Sequence, residues 1–211
     1  TLFGRFFLSL CPCLVSVTIV AGARALTLLV LSAAVCFTVN LLFFRGRDLC
    51  AVLYGLVFAL MLPVSAPLWA AAAGGAVTAA VLGLTGKNGL ACVHPSAFAA
   101  VLLHVLYSGI FSGTEPLTGM LFCDVRRAAE LGIYGLLPAA ALIAGGLLLI
   151  LFGVACFSTP VLFFTGLLAA SAAAGLPPLQ LVNGPAVLTA FFLAGDNRSS
   201  PLSASGRALS A

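Results

Sequence analysis

Charged side chains are scarce in this chain of 211 residues, because only 7% of them are Asp, Glu, Lys or Arg. A typical soluble domain is about 25% charged, so this composition excludes an ordinary soluble domain. Apolar residues make up 63% of the chain, and the mean hydropathy is +1.25. These values are typical of a protein embedded in a lipid bilayer, whose few polar clusters mark its water-facing edges and its working parts.

Signatures of soluble chemistry are also missing. The sequence has no CxxC pair, no HExxH, no dinucleotide-binding fingerprint and no Ser-His-Asp arrangement that can be placed. Its nine Lys and Arg residues are scattered rather than gathered in a basic run, so we expect no nucleic-acid partner. Most of the seven cysteines lie in apolar runs, where Cys acts as a small hydrophobe, so we expect no metal site.

Long apolar segments are what the sequence does have. They predict an all-α, polytopic integral membrane protein with about eight transmembrane or half-membrane helices, forming one transmembrane domain over 1–211. Several segments are short and rich in Gly, Ala or Pro, which is also typical of broken helices that line a cavity enclosed by protein. The segments are 6–22, 25–44, 49–62, 69–84, 91–111, 131–152, 160–174 and 181–194.

Basic residues at the segment ends predict the orientation. With eight crossings, one side of the membrane receives six basic residues and the other side receives three. The positive-inside rule makes the first side cytoplasmic, so both termini are expected inside and the loop 112–130 outside. The first side holds Arg5, Arg45, Arg47, Lys87, Arg198 and Arg207, and the second holds Arg24, Arg126 and Arg127.

Two stretches share a weak pattern. Phe58–Leu68 reads FALMLPVSAPL and Phe192–Leu202 reads FLAGDNRSSPL, so both begin with Phe and end in Ser-x-Pro-Leu. The predicted topology puts them on opposite sides of the bilayer, as an inverted repeat requires. Because few residues match, coincidence is an equally good explanation.

Three ionisable residues are candidates for an ion path. His94 and His104 are ten residues apart in an apolar segment, which is near three helical turns and suggests a shared face. Imidazole titrates near neutrality and could relay protons, although a histidine packed in the core near a helix end is the rival interpretation. Asp196, which ends the last segment, could cap a turn or contribute to a cation path.

Three motif groups, taken in order, resemble the RnfD/NqrB family of membrane flavoprotein subunits in ion-pumping electron-transport complexes. No single motif is decisive, but their order and spacing agree with the family over most of the chain. The groups are Leu49–Trp69; Gly83–Asn88 followed by His94-Pro95-Ser96-Ala97; and Ala190–Asp196 followed by Ser200-Pro201 and Gly206-Arg207.

The chain departs from the family pattern at several points. About three extra residues separate Asn88 from His94, which stands where the family has Asn, and Gly195 stands where it has Thr. Family members continue with further membrane segments beyond the Gly-Arg, so we expect this chain to be a shortened member or a fragment.

The flavin motif is the most important departure. The segment Phe111–Leu117 stands where the family has Ser-Gly-Ala-Thr-Pro-Leu, whose Thr carries FMN through a phosphoester bond. Glu115 replaces that Thr here and cannot form the linkage. A hydroxyl is available one residue earlier and three later, while an ordinary exposed turn is the alternative interpretation. The candidate cofactor-binding residues are Ser112, Gly113, Thr114 and Thr118.

The resemblance implies a subunit of an Rnf/Nqr-type complex in the bacterial inner (cytoplasmic) membrane. It would carry electrons through FMN, or through riboflavin as well, and help couple them to Na⁺ or H⁺ movement. It would be inactive alone, because the other redox centres belong to membrane and peripheral partner subunits. Two alternatives stay open: a channel- or transporter-like bundle that has lost the flavin, for which Glu115 is the best support, and a structural scaffold subunit.

Overall fold

The fold is built from helices. A computed structural model describes residues 2–44, 49–88, 93–111, 133–175 and 184–194, and these ranges contain helices and no strand. The expected all-α class is therefore confirmed for the described part of the chain. The helices are α1 (Leu2–Phe44), α2 (Cys50–Met61), α3 (Leu68–Asn88), α4 (Pro95–Leu106), α5 (Ser108–Phe111), α6 (Ile133–Leu151), α7 (Ser158–Ala173) and α8 (Gly184–Leu188), which continues as a π-helical turn, Thr189–Leu193.

Helix α1 is broken near its middle. Gly22 has φ 67° and ψ −156°, a backbone conformation that essentially only glycine adopts, while helix continues on both sides. The break corresponds to the boundary expected between segments 6–22 and 25–44. One glycine thus divides a 43-residue helix into two pieces.

Two of the described helices are long and apolar enough to cross a membrane, over Phe3–Phe44 and Leu68–Thr85. The other apolar helices are shorter. Helices α2 and α4 have 12 residues each, or about 18 Å, against about 30 Å of hydrocarbon in a bilayer. The predicted helix positions are confirmed closely, whereas the predicted count of about eight crossings stays a prediction.

The described helices fall into two compact units. The first unit consists of α1 up to Val20 together with α6, α7, α8 and the π-helical turn, and the second consists of α1 from Ala21 together with α2 to α5. The prediction of a single transmembrane domain is not tested by this division. The predicted inverted repeat also stays a prediction, since most of its second copy lies outside the described residues.

Small residues bring the helices of the second unit together. A Cβ atom added to Gly55 of α2 would lie 2.9 Å from the Cα atom of Ala33, and one added to Gly75 of α3 would lie 2.7 Å from the carbonyl oxygen of Ser32. Helix α3 also packs against α2 and α4. Close backbone approach through small residues is the usual way in which membrane helices associate. A buried cluster completes this packing and comprises Cys36, Ala51, Tyr54, Ala79 and Leu82.

The first unit uses the same kind of packing. Gly145 of α6 lies directly against the backbone of Ser9, and Gly146 lies against the ring of Phe191. Phe192 is fully buried, and its ring meets that of Phe6 edge to face, with centroids 5.6 Å apart. Glycines and phenylalanines therefore interlock at the centre of this unit.

Candidate functional site

All four candidate cofactor residues lie outside the described residues. This holds for Ser112, Gly113, Thr114 and Thr118, and for the ion-path candidate Asp196. The structure does show where the segment with the cofactor candidates begins, because Phe111, the last residue of α5, directly precedes Ser112.

One end of the second unit gathers polar and aromatic side chains. The Nη2 atom of Arg24 donates hydrogen bonds to the carbonyl oxygens of Ser65, at 3.2 Å, and Ala66, at 3.5 Å, in the α2–α3 connection. The rings of Trp69 and Tyr107 meet edge to face with centroids 5.0 Å apart, and both are about half exposed. Arg, Trp and Tyr in this arrangement are typical of the surface where a membrane meets water.

The α4–α5 connection lies at this same end. Trp69 is near the start of α3 and Tyr107 follows the last residue of α4, so their contact joins the beginning of one helix to the end of the other. Helix α5 begins one residue after Tyr107 and has only four residues. The chain therefore enters the 112–118 segment from the end of the unit that carries Arg24.

His94 is buried within the second unit. It directly precedes α4 in an extended conformation, with φ −68° and ψ 125°, because Pro95 occupies the first helical position. Its ring packs edge to face against Tyr54 of α2, with centroids 5.2 Å apart. Two residues on, the Ser96 hydroxyl donates to the carbonyl oxygen of Tyr54 at 2.8 Å. The start of α4 is thus fastened to the middle of α2.

His104 occupies a different environment. It lies in the last turn of α4 and is exposed, whereas His94 is only 9% exposed. The expectation that the two imidazoles share one side of a helix is wrong, because His94 precedes the helix and turns into the core. Ten residues at 1.5 Å each put the two Cα atoms about 15 Å apart along the helix direction.

A second hydroxyl repeats the contact that Ser96 makes. The Ser32 hydroxyl of α1 donates to the carbonyl oxygen of Gly55 at 2.9 Å, and Ser32 is fully buried. Tyr54 and Gly55 are consecutive, so neighbouring carbonyls of α2 accept hydrogen bonds from two different helices. Bonds of this kind hold membrane helices in register without placing a charge in the core.

The described beginning of the third motif group falls on the π-helical turn of the first unit. The amide of Ala194 donates to the carbonyl oxygen of Thr189 at 2.8 Å, five residues back, and the Thr189 hydroxyl donates to the carbonyl oxygen of Pro185. Short π-helical turns often occur at functional sites. The motif residues 190–193 lie on this turn and Ala194 directly follows it. Asp196 is two residues beyond Ala194, the last described residue.

Two arginine contacts escaped the sequence analysis, which treated Arg5 and Arg24 only as topology charges. The Nη1 atom of Arg5 donates to the carbonyl oxygen of Phe152 at 3.1 Å, across 147 positions of sequence. No local signal reveals such a pair. Residues that could hold a metal ion do not cluster: no group of three or more His, Cys, Asp or Glu side chains occurs within the described ranges.

Comparison with known proteins gives the family. The model of the NQR2, RnfD, RnfE family matches residues 2–211. The chain is 28% identical over 189 residues to a subunit of the Na(+)-translocating ferredoxin:NAD(+) oxidoreductase complex of Acetobacterium woodii, an alignment that covers 76% of this chain and 58% of the relative. The chain therefore spans little more than half of that relative's length. Three motif groups, a helical membrane-type fold and a family match over nearly every residue agree, and the chain belongs to the NQR2, RnfD, RnfE family.

Proposed function

We propose that this chain forms part of a membrane subunit of an Rnf-type complex, in which electron transfer through flavin is coupled to the movement of Na⁺ or H⁺. The observation that carries the proposal is the family match over residues 2–211, together with the name of the relative from Acetobacterium woodii. The partners would be the other membrane and peripheral subunits of that complex. The chain alone would be inactive, because it would hold only one stage of the electron path.

The segment 112–118 is the proposed flavin attachment site. Its donor set fits an FMN phosphoester through the hydroxyl of Thr114 or Thr118, but not through Glu115, because a carboxylate cannot take the place of the hydroxyl. Bound flavin would supply one- and two-electron transfer. The residues of the segment would hold the phosphate of FMN. The segment begins shortly after Tyr107, whose ring contacts Trp69 at one end of the second unit.

The described helices support an outward position for this segment. Arg24 belongs to the side that the positive-inside rule makes external, and the chain approaches Ser112 from the end that carries Arg24. The charge rule supplies the side of the membrane, and the contacts of Arg24 and of Trp69 with Tyr107 put the beginning of the segment at the Arg24 end of the second unit. Together they support flavin attachment at the outer surface, with the termini in the cytoplasm.

His94 is the better of the two histidine candidates for an ion path. Twelve residues of α4 separate it from the Tyr107 end, or about 18 Å, which corresponds to the interior of a bilayer about 30 Å thick. Ionisable side chains at that depth are commonly functional. His104 lies within about one turn of the aromatic end and is exposed, so its proposed role is limited to that surface.

The flavin proposal has a direct test. The protein is separated on a denaturing gel and viewed under ultraviolet light, where a covalent flavin gives a fluorescent band. We expect the band in the unaltered protein and its loss in either Thr114→Ala or Thr118→Ala, whichever residue carries the flavin. Ser108→Ala, which removes a hydroxyl from α5 just outside the segment, is the matched control and keeps the band.

Two results would count against flavin. The first is absence of the band together with no flavin released on denaturation, which would favour the channel-like bundle that Glu115 suggests. The second is an unchanged band in both threonine variants, which would place the attachment elsewhere. Copurification of the tagged chain with other redox subunits tests the membership of a complex separately.

A further inference from the structure

A groove of about 480 Å³ lies in the first unit, where the beginning of α1 meets the end of α6. It is lined by Gly4, Arg5, Leu8, Leu151 and Phe152. None of the motif groups falls on it, and the proposed electron path does not use it. Its lining combines one cation with exposed apolar side chains.

The cation in the groove is held in place. Helix α6 ends in a tight turn in which Gly153, with φ +69°, donates to the carbonyl oxygen of Ile150 at 2.9 Å, and Val154 donates to that of Leu149 at 3.1 Å. Arg5 then donates to the next exposed carbonyl oxygen, that of Phe152. This bond uses one of five guanidinium N–H donors, so the fork keeps further donors for a ligand.

Arg5 is the charged residue among those that line the groove. The carbonyl end of α6 carries roughly half a negative charge, which is smaller than the full positive charge of the guanidinium. The guanidinium therefore gives the lining a positive group that suits a phosphate, which Arg can bind through two parallel hydrogen bonds.

The apolar side chains of the groove favour the phosphate of a lipid headgroup over a free phosphate. Leu8 is 55% exposed and Leu151 is 79% exposed, and both lie beside the guanidinium. A free phosphate would gain nothing from these side chains, whereas an acyl chain would cover them. Basic pockets between membrane helices are known to accept anionic lipid headgroups.

We propose that this groove binds an anionic phospholipid. The headgroup phosphate is held by Arg5, and the first part of an acyl chain lies along Leu8 and Leu151. The residues that line the groove include neither His94 nor any residue of the segment 112–118.

The test uses the full-length protein assembled in the membranes of the cells that produce it. Photoactivatable phosphatidylglycerol and photoactivatable phosphatidylcholine are supplied in parallel, and labelled peptides are mapped by mass spectrometry. We expect the peptides that contain residues 4–8 and 151–152 to be labelled about fivefold more by the anionic lipid, the factor that one Arg near an anionic surface contributes.

Substitutions test whether the preference for the anionic lipid depends on the charge of Arg5 or on its structural role. Arg5→Gln is expected to abolish the preference for phosphatidylglycerol, while Arg24→Gln, which removes the same charge from the second unit, leaves it unchanged. Arg5→Gln also removes the bond to Phe152, so Leu151→Glu provides an independent test at an exposed position. It should lower labelling by phosphatidylglycerol, whereas Leu151→Gln, equal in size and uncharged, should not.

Four results would overturn the proposal. One is equal labelling of the groove peptides by the two lipids. Another is unchanged anionic labelling in both Arg5→Gln and Leu151→Glu. A third is cross-linking of these peptides to protein rather than lipid in the assembled complex, which would show that a polypeptide fills the groove. The fourth is loss of labelling on addition of inorganic phosphate, which would assign the site to a free anion.

Discussion

At the scale of single residues, glycines set how closely the helices approach. Gly55 and Gly75 both lie against the part of α1 around Ser32, where any larger side chain would meet backbone atoms rather than flexible side-chain ends. Gly166 of α7 is a contrasting case, because a Cβ atom added there meets nothing within 4 Å. The same residue type is thus required at some positions and replaceable at others.

Gly75→Ala is expected to destabilise the protein by about 1–3 kcal/mol, the usual cost of an extra group in a filled core. Its Cβ atom would lie 2.7 Å from the carbonyl oxygen of Ser32. Gly166→Ala, the matched control, should be neutral or raise stability by up to about 1 kcal/mol through helix propensity. Thermal unfolding of the detergent-solubilised protein measures both. Equal melting temperatures for the two variants would contradict the assignment of this contact.

The two histidines give a second prediction at this scale. His94→Ala should cost about 2 kcal/mol or more, because it removes a buried ring packed on Tyr54 and leaves a cavity. His104→Ala removes an exposed side chain and should change stability by less than about 0.5 kcal/mol. The same unfolding assay compares them. A larger loss at His104 than at His94 would show that the core of the second unit is assigned incorrectly.

At the scale of elements, the fold depends on the residues at which helices break or end as much as on the helices themselves. The chain leaves α2 through Leu62 and Pro63 and enters α3 after Pro67, so prolines mark both ends of the connection that Arg24 binds. Glycines with positive φ break α1 at Gly22 and end α6 at Gly153. Composition alone accounts for these positions, which is why most segment boundaries could be predicted.

Gly22→Ala is expected to destabilise the protein by about 1–3 kcal/mol, because alanine is strained at φ 67° and ψ −156°. No neighbouring atom lies within 4 Å of the added Cβ atom, so the cost arises in the backbone alone. Gly166→Ala again serves as the control, with ordinary helical backbone. If Gly22→Ala proved as stable as the unaltered protein, α1 would have to be straight at this position.

At the scale of the whole molecule, sequence predicts the helices better than the contacts between them. The lengths of the apolar segments, and the Gly and Pro residues between them, predicted the positions of α2, α3, α6 and α7 to within a few residues. A core histidine near a helix end was one of the two interpretations of His94, and its burial agrees with that one. The contacts of Arg5 with Phe152 and of His94 with Tyr54 were not predicted, because they join distant parts of the chain. Motif order indicated the family, whereas the choice of attachment residue depends on the local alignment around Glu115.

The orientation of the chain has a convenient native reporter. Cys123 lies in the loop 112–130, which the positive-inside rule puts outside. A variant that keeps Cys123 and replaces the other six cysteines should react with a membrane-impermeant maleimide added to intact spheroplasts. A matched variant that keeps Cys13, buried in α1, should stay unlabelled. Reaction of Cys123 only after the membrane is permeabilised would reverse the orientation.

The hydrogen bond between α2 and α4 also constrains the order in which the protein assembles. Ser96 of α4 donates to the carbonyl oxygen of Tyr54 in the middle of α2, and it is synthesised more than forty residues after Tyr54. The packing between these two short helices can therefore form only after α4 has been synthesised. Helix α3, which packs against both, must be in place between them by then.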